Sequence, residues 1–321
     1  MKKVVVMGGG TGTFPVVCAL KHLDVHLASV IAVSDSGGST GRIRDEFGFQ
    51  PVGDLRQALA ALAENQGEEW IRKILLYRFN KGAGLQGHNL GNLILTALQD
   101  MTGDTTEALD IAAKVFRLEG KVIPVTSDLV QLQIEYDDGT VVVGEHTLDQ
   151  PETQFKKIKK VSLTPSAHIN PLAKHTIEDA NFIVIGPGDY YASLMSTLIP
   201  TGTKEAFAHT NAHIVYIVNL MTRATQTHGM TAQDHVRGIE QAIGRKLDTV
   251  ILNSQPVPPE ILKLYEKEGE FPVTDDLQEE NVLRAPLTSE QVVTKSQDDT
   301  AHRSLLRHDQ KKLENVLKKL L

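Results

Sequence analysis

Five short apolar runs, at residues 4–7, 29–33, 182–185, 214–218 and 249–252, restrict what this chain can fold into. Each is four or five residues long, rich in Val and Ile, and lacks the apolar–polar alternation of a half-exposed strand. Such runs suit strands covered on both faces, the condition of a parallel sheet between helical layers. Helical patterns intervene. They are expected at 15–23, with Pro15 in a first turn, at 54–64 with Asp54 as cap, and at 68–77, 90–101, 105–116 and 231–243. The period changes to two between about 121 and 165. There Gln131 to Tyr136 alternates, Asp137-Asp138-Gly139-Thr140 turns, and Val141 to Val143 resumes, which predicts an antiparallel hairpin insertion. Residues 268–300 read as charged and irregular, before an amphipathic helix at 310–320. The expected fold is α/β: a Rossmann-like three-layer domain over 1–321 with a mainly parallel sheet, an antiparallel insertion at 121–165 and a C-terminal extension at 268–321.

All five runs end in small or polar residues: Gly8-Gly9-Gly10-Thr11-Gly12-Thr13, Ser34-Asp35-Ser36-Gly37-Gly38-Ser39, Gly186-Pro187-Gly188-Asp189, Asn219-Leu220-Met221-Thr222-Arg223 and Asn253-Ser254-Gln255. In an open parallel sheet these ends share one edge, and ligands bind there at the topological switch point. Glycines let backbone N–H groups approach a ligand, and a following helix N-terminus favours negative charge. An anionic ligand, a phosphate or diphosphate, follows. With Gly10 and Gly12 as the first two glycines of a dinucleotide fingerprint, the third position is Pro15, and no Gly-Lys-Ser/Thr follows as in a Walker loop. Ordinary NAD enzymes and P-loop NTPases are therefore disfavoured. Asp35 suits a ribose hydroxyl, a metal-bound water or local turn bonds. In Gly87-His88-Asn89-Leu90-Gly91-Asn92, His88 and Asn89 offer donors to a ligand oxygen, and Asn89 equally suits a helix cap. His228 and His235 have no third convergent ligand, so no metal is expected, and no nucleophile elbow occurs.

Composition narrows the partners. The 321 residues carry 40 Asp+Glu against 33 Lys+Arg, a formal charge of −7, which disfavours nucleic acid. The single Cys18 excludes an internal disulfide and fits a reducing compartment. No apolar run approaches the ~20 residues of a membrane span, and glycines interrupt the signal-like start, so a cytoplasmic location is expected.

Taken together, Gly8-Gly9-Gly10-Thr11-Gly12, Val33-Ser34-Asp35-Ser36-Gly37-Gly38-Ser39-Thr40-Gly41, Pro51-Val52-Gly53-Asp54-Leu55-Arg56, Gly87 to Asn92, Ile185-Gly186-Pro187-Gly188, Asn219 to Thr222 and Arg307-His308-Asp309 closely resemble the YvcK group, the gluconeogenesis factors. These are similar in fold to CofD-type 2-phospho-L-lactate transferases. The resemblance implies a protein that binds UDP-N-acetylglucosamine, needs no cofactor, and supports cell shape and wall-precursor supply during gluconeogenic growth. By position it implies a ligand-binding set of Gly9, Gly10, Thr11, Gly12, Thr13, Asp35, Ser36, Gly37, Gly38, Ser39, His88, Asn89, Asn92, Gly188, Asn219, Met221, Thr222, Tyr265 and Arg307. No catalytic residue is assigned. The implied partner is a wall-synthesis or carbon-metabolism protein, and a homo-oligomer is compatible with the sequence.

Two departures from the group's pattern stand out. Asp189 and Tyr190 follow Gly188 where the group has Ser and Leu-Tyr, and Arg223-Ala224-Thr225-Gln226-Thr227 replaces a Gln-Pro-Gly-Glu-Thr segment. A carboxylate at a phosphate-facing loop repels the ligand unless it turns away or meets a cation. Gln310 also stands where a threonine often follows the Arg-His-Asp triplet, so phosphorylation there is not expected. The principal alternative is a Mg²⁺-dependent transferase of a phosphate-containing group, with Asp35 and Asp54 as metal partners. A third is an NAD-binding protein.

Overall fold

A computed structural model describes residues 1–9, 11–63, 69–148, 150–289 and 304–321. Seven strands form one parallel sheet: β1 (Lys2–Gly8), β2 (Val25–Ile31), β3 (Lys121–Pro124), β7 (Phe182–Ile185), β8 (His213–Ile217), β9 (Thr249–Asn253) and β10 (Val282–Ala285). Their spatial order is β10-β9-β8-β7-β1-β2-β3. The chain thus builds outward from β1 to one edge, returns to the other side of β1, and builds outward again. The reversal lies between β1 and β7, where Val4 to Met7 pair with Phe182 to Ile185.

Alternate residues of β1 enter different cores, which makes the fold three-layered. Val4 and Val6 pack in one cluster with Val16, Leu20, Leu55 and Leu59 from α1 (Phe14–Leu20) and α3 (Gly53–Leu62). Leu313 and Leu317 of the closing helix Gln310–Leu320 join that cluster. Val5 and Met7 pack in the other with Ala173, Ile177, Phe207, Ile239 and Ile243 from three helices of the opposite layer. The remaining first-half helices are α2 (Gly38–Phe47), α4 (Glu69–Leu76), α5 (Leu90–Thr102) and α6 (Thr105–Val115). Asn89 caps α5 by accepting from the Asn92 N–H at 3.2 Å, and Asp104 caps α6.

The antiparallel insertion is a second sheet, β5-β4-β6, of β4 (Gln131–Tyr136), β5 (Val141–Val143) and β6 (Ile158–Thr164). Leu132, Ile134 and Tyr136 of β4 are buried while the intervening residues are not, as the alternation requires.

The elements differ from the sequence expectations in four places. Lys121–Pro124 is a parallel strand of the main sheet, paired to Ala28–Ile31, so the antiparallel part starts later than 121. Val282–Ala285 is a parallel edge strand inside the stretch read as irregular. β2 begins at Val25 rather than 29, because Val25 and His26 pair with Lys2 and Lys3 at the exposed end. Finally, α3 starts at Gly53, which puts Asp54 inside the first turn instead of at the cap. The expected helix ends at Glu64 and Glu68 lie outside the described residues.

Candidate ligand cleft

At the reversal point the loops after β1 and β7 touch. A Cβ on Gly12 would lie 2.5 Å from the Gly188 Cα and from the Pro187 carbonyl oxygen, so glycine is required by close backbone approach. The loop after β8 is fixed to the same spot, since Asn219 Nδ2 donates to the Gly188 carbonyl at 2.8 Å. The chain beyond β10 closes the fourth side. Asp309 N–H donates to the Leu287 carbonyl and Ser289 N–H to the Arg307 carbonyl, bringing residues 304–308 over the strand ends. These segments enclose a cleft of about 110 Å³ that opens to solvent.

Of the residues expected at a ligand, Gly9, Thr11, Gly12, Gly188, Asn219, Met221, Thr222 and Arg307 line this cleft. Thr13 is buried behind its loop, and Gly10 lies outside the described residues. The loop after β2 does not line it. β2 is on the far side of β1 from β7, and its loop bonds inward. Asp35 accepts from the Gly37 N–H at 2.8 Å, Ser36 Oγ meets His146 Nδ1 at 3.1 Å, and Ser39 Oγ meets His88 Nδ1 at 3.2 Å. Gly38 opens α2, and Ser39 lies in its first turn. Asn92 Nδ2 donates to Thr40 Oγ1 at 3.2 Å. Burial pushes the Asp35 carboxyl above its usual range, against the bonds from Gly37 and Thr40. Asn89 lines a neighbouring cavity.

Tyr265 supports the site from below. It is buried in a small cluster with Met221, Ile261 and Leu306, and its hydroxyl accepts from the Leu306 N–H at 2.9 Å. Burial raises its pKa. It therefore positions the segment that carries Arg307.

Two further features of the cleft were not assigned roles from the sequence. His308 is 6% exposed and lines the wall. Its ring bonds the Val218 carbonyl, burial holds its pKa down at about 4, and Nε2 has no protein partner among the described residues. A neutral imidazole whose Nδ1–H is donated keeps an acceptor at Nε2. Asn219 Oδ1 is likewise buried without a partner among the described residues. The triplet Arg307-His308-Asp309 was a signal for His308; nothing local marked Asn219 Oδ1.

The other feature joins the two departures noted above. Asp189 and Arg223 both line the cleft and pair, Oδ1 to Nη1, at 2.7 Å. The carboxylate meets its cation inside this chain.

Chemically, the glycine loops and the Arg307 residue that line the cleft suit a diphosphate.

Comparison with known proteins agrees with this architecture. The profile of the CofD family, described as 2-phospho-L-lactate transferase CofD, matches residues 4–293. A gluconeogenesis factor of Bacillus subtilis is 39% identical over 322 residues, covering 99% of this chain and 98% of that protein. A putative gluconeogenesis factor of Thermotoga maritima is 34% identical, covering 99% of each. A crystal structure of a Bacillus halodurans protein superposes with a TM-score of 0.87 at 34% identity, again covering 99% of each chain.

Proposed function

Because this chain belongs to the CofD family, among relatives named gluconeogenesis factors, we propose that it is a regulatory protein that binds a nucleotide sugar, UDP-N-acetylglucosamine, without turning it over. Bound ligand then reports wall-precursor supply, through a wall-synthesis or carbon-metabolism partner, during gluconeogenic growth in the cytoplasm. The supporting observation is one cleft lined by the loops after β1, β7 and β8 together with Arg307. Glycine loops let the backbone approach a diphosphate, and a guanidinium suits its charge. Arg307→Ala tests the reading by calorimetric titration. It is expected to weaken UDP-N-acetylglucosamine binding by about 1–3 kcal/mol, the cost of a lost charge-assisted contact. Unchanged affinity removes Arg307 from the site.

One observation favours the second reading, a Mg²⁺-dependent transferase. Asp54 Oδ2 lies 2.3 Å from the Cβ position of Gly9, and Asp35 Oδ2 lies 2.4 Å from that of Gly53. The Asp54 carboxylate thus stands against the first loop, and that of Asp35 against the start of α3. Mg²⁺ commonly takes one or two carboxylates and completes its shell with water and phosphate, so these residues fit that ion. Among the described residues no group of three or more His, Cys, Asp or Glu side chains gathers for a metal. The raised pKa of Asp35 also works against cation binding. In the transferase the ion would neutralise phosphate charge, and Asp54→Asn would abolish divalent-dependent turnover. A reaction indifferent to Mg²⁺ would exclude that role.

A further inference from the structure

Between β5 and β6 the antiparallel insertion returns to the strand ends of the main sheet, where Phe155 meets the loop after β8. Phe155 has a φ of 61°, in the left-handed region that a bulky side chain rarely adopts. Such a conformation persists only where its surroundings over-determine it. Three contacts do so here. The Phe155 N–H donates to the Ala224 carbonyl at 2.8 Å. Its ring meets the His228 ring edge-on, with centroids 4.8 Å apart. The same ring lies over Gly269, where a Cβ would sit 2.6 Å from a ring carbon.

The loop that Phe155 grips is a turn that carries Arg223. The N–H groups of Gln226 and Thr227 donate to the Arg223 carbonyl at 3.0 and 2.8 Å, and the Arg223 N–H donates to Thr227 Oγ1 at 2.9 Å. These bonds make the turn one unit, so a shift at Ala224 is passed to Arg223. Ala224 to Thr227 are buried, although they belong to no helix or strand. The unit is docked through Gln226 Oε1, which accepts from the Tyr191 N–H at 3.3 Å, and through Ala224 onto Phe155. Phe155 does not line the ligand cleft. It lines an adjoining recess with Arg223 and Glu270, and those two residues line both. The insertion is fastened on the other side as well, since the His146 N–H donates to Ser36 Oγ in the loop after β2 at 3.2 Å. In the sheet β2 and β8 flank β1 and β7, so the insertion ties together the loops on either side of the reversal point.

We infer that Phe155 is a positioning residue, through which the insertion holds the Arg223 turn so that the guanidinium stays on Asp189. Without the ring the turn keeps its internal bonds and loses a surface on which it rests. Arg223 then leaves Asp189 for part of the time, and a bare carboxylate faces the ligand phosphates. The ligand consequence rests on the nucleotide-sugar reading; the effect on the Asp189–Arg223 pair does not.

The test uses full-length protein carrying Phe155→Asn, because asparagine accepts the left-handed backbone while removing the ring. The variant is expected to keep the wild-type melting temperature within a few degrees. In calorimetric titration it should weaken UDP-N-acetylglucosamine by about three- to tenfold, within the range of coupling through a neighbouring residue. Higher salt should shrink the loss. In an Asp189→Ser chain the same substitution should change affinity by less than about twofold, because the charge it uncovers is gone. Equal losses in the two backgrounds would make Phe155 a general support of the fold and overturn the inference, as would unchanged affinity in the folded single variant. A second readout needs no ligand. The NMR signal of the Arg223 guanidinium, assigned with Arg223→Gln, should be resolved in wild-type protein and broadened in Phe155→Asn; an unaltered signal would overturn the inference. Failure of wild-type protein to bind UDP-N-acetylglucosamine would refute the proposed function and leave this readout to decide the role of Phe155.

Discussion

Replacing Arg223 by Gln leaves Asp189 with a carboxylate at a cleft built for an anion. In the native protein the two are 2.7 Å apart, with side chains 13% and 36% exposed. The pair is half desolvated, so bulk-water screening does not apply in full. A carboxylate roughly 7 Å from a phosphate, at an effective dielectric of about 40, repels each unit of phosphate charge by about 1.2 kcal/mol before salt screening. For a diphosphate at physiological ionic strength the net penalty is about 1–2 kcal/mol, equivalent to ~5–30-fold in affinity. Arg223→Gln is therefore expected to weaken UDP-N-acetylglucosamine by that factor in calorimetric titration. Raising the salt should shrink the loss. Adding Asp189→Ser to the same chain should restore affinity to within about twofold, since the offending charge is gone. If the double variant binds as weakly as Arg223→Gln alone, Arg223 acts by touching the ligand and the charge-compensation reasoning is refuted.

The remaining predictions concern the supports of the cleft. Burial holds His308 at about 4 in the folded protein, below the ~6.5 of an unfolded histidine. The unfolded chain binds the extra proton first, so stability from this group is complete above about 6.5 and falls as pH drops toward 4, by on the order of 3 kcal/mol. His308→Gln should flatten that part of a pH series of denaturant melts relative to wild type; superimposable slopes would contradict the assignment. Tyr265→Phe removes the acceptor for the buried Leu306 N–H and should cost about 1–3 kcal/mol of stability, with weaker nucleotide-sugar binding through a shifted Arg307. Wild-type values for both quantities would deny Tyr265 its positioning role. Gly12→Ala forces a methyl against Gly188 and Pro187, and is expected to lower stability by about 1–3 kcal/mol and to abolish measurable ligand binding. An unchanged melt and isotherm would disprove the close-approach argument.

The central sheet was legible because burial on both faces leaves uninterrupted apolar runs such as Phe182–Ile185. The two edge strands were not. Lys121–Pro124 ends in proline just before a period-two stretch, and Val282–Ala285 has only Val282, Leu283 and Ala285 to mark it, with Arg284 turned to the surface. An edge strand needs one neighbour and one covered face, so its sequence signal is weak. In the site, glycines 9, 12 and 188 and Asn219 were legible from their place after strands, because strand ends share one edge whatever the later topology. Which loops face the same cleft depends on strand order. The Asp35–Ser39 loop follows the strand on the wrong side of β1 to line it. Tyr265 and His308 illustrate a different limit. Both positions were noticed in motifs, but whether a side chain lines a cleft or braces the backbone beneath it is decided by packing between segments far apart in the chain.

Nucleotide-sugar binding without turnover is tested most directly by one titration: UDP-N-acetylglucosamine into purified full-length protein, with and without Mg²⁺, beside GDP and NAD as controls, followed by analysis of the recovered ligand. Saturable binding of the nucleotide sugar that is indifferent to Mg²⁺, with the ligand returned intact and the controls weak, is the predicted result. Binding of GDP only in the presence of Mg²⁺, with no signal from the nucleotide sugar, would contradict the account and establish the transferase reading in its place.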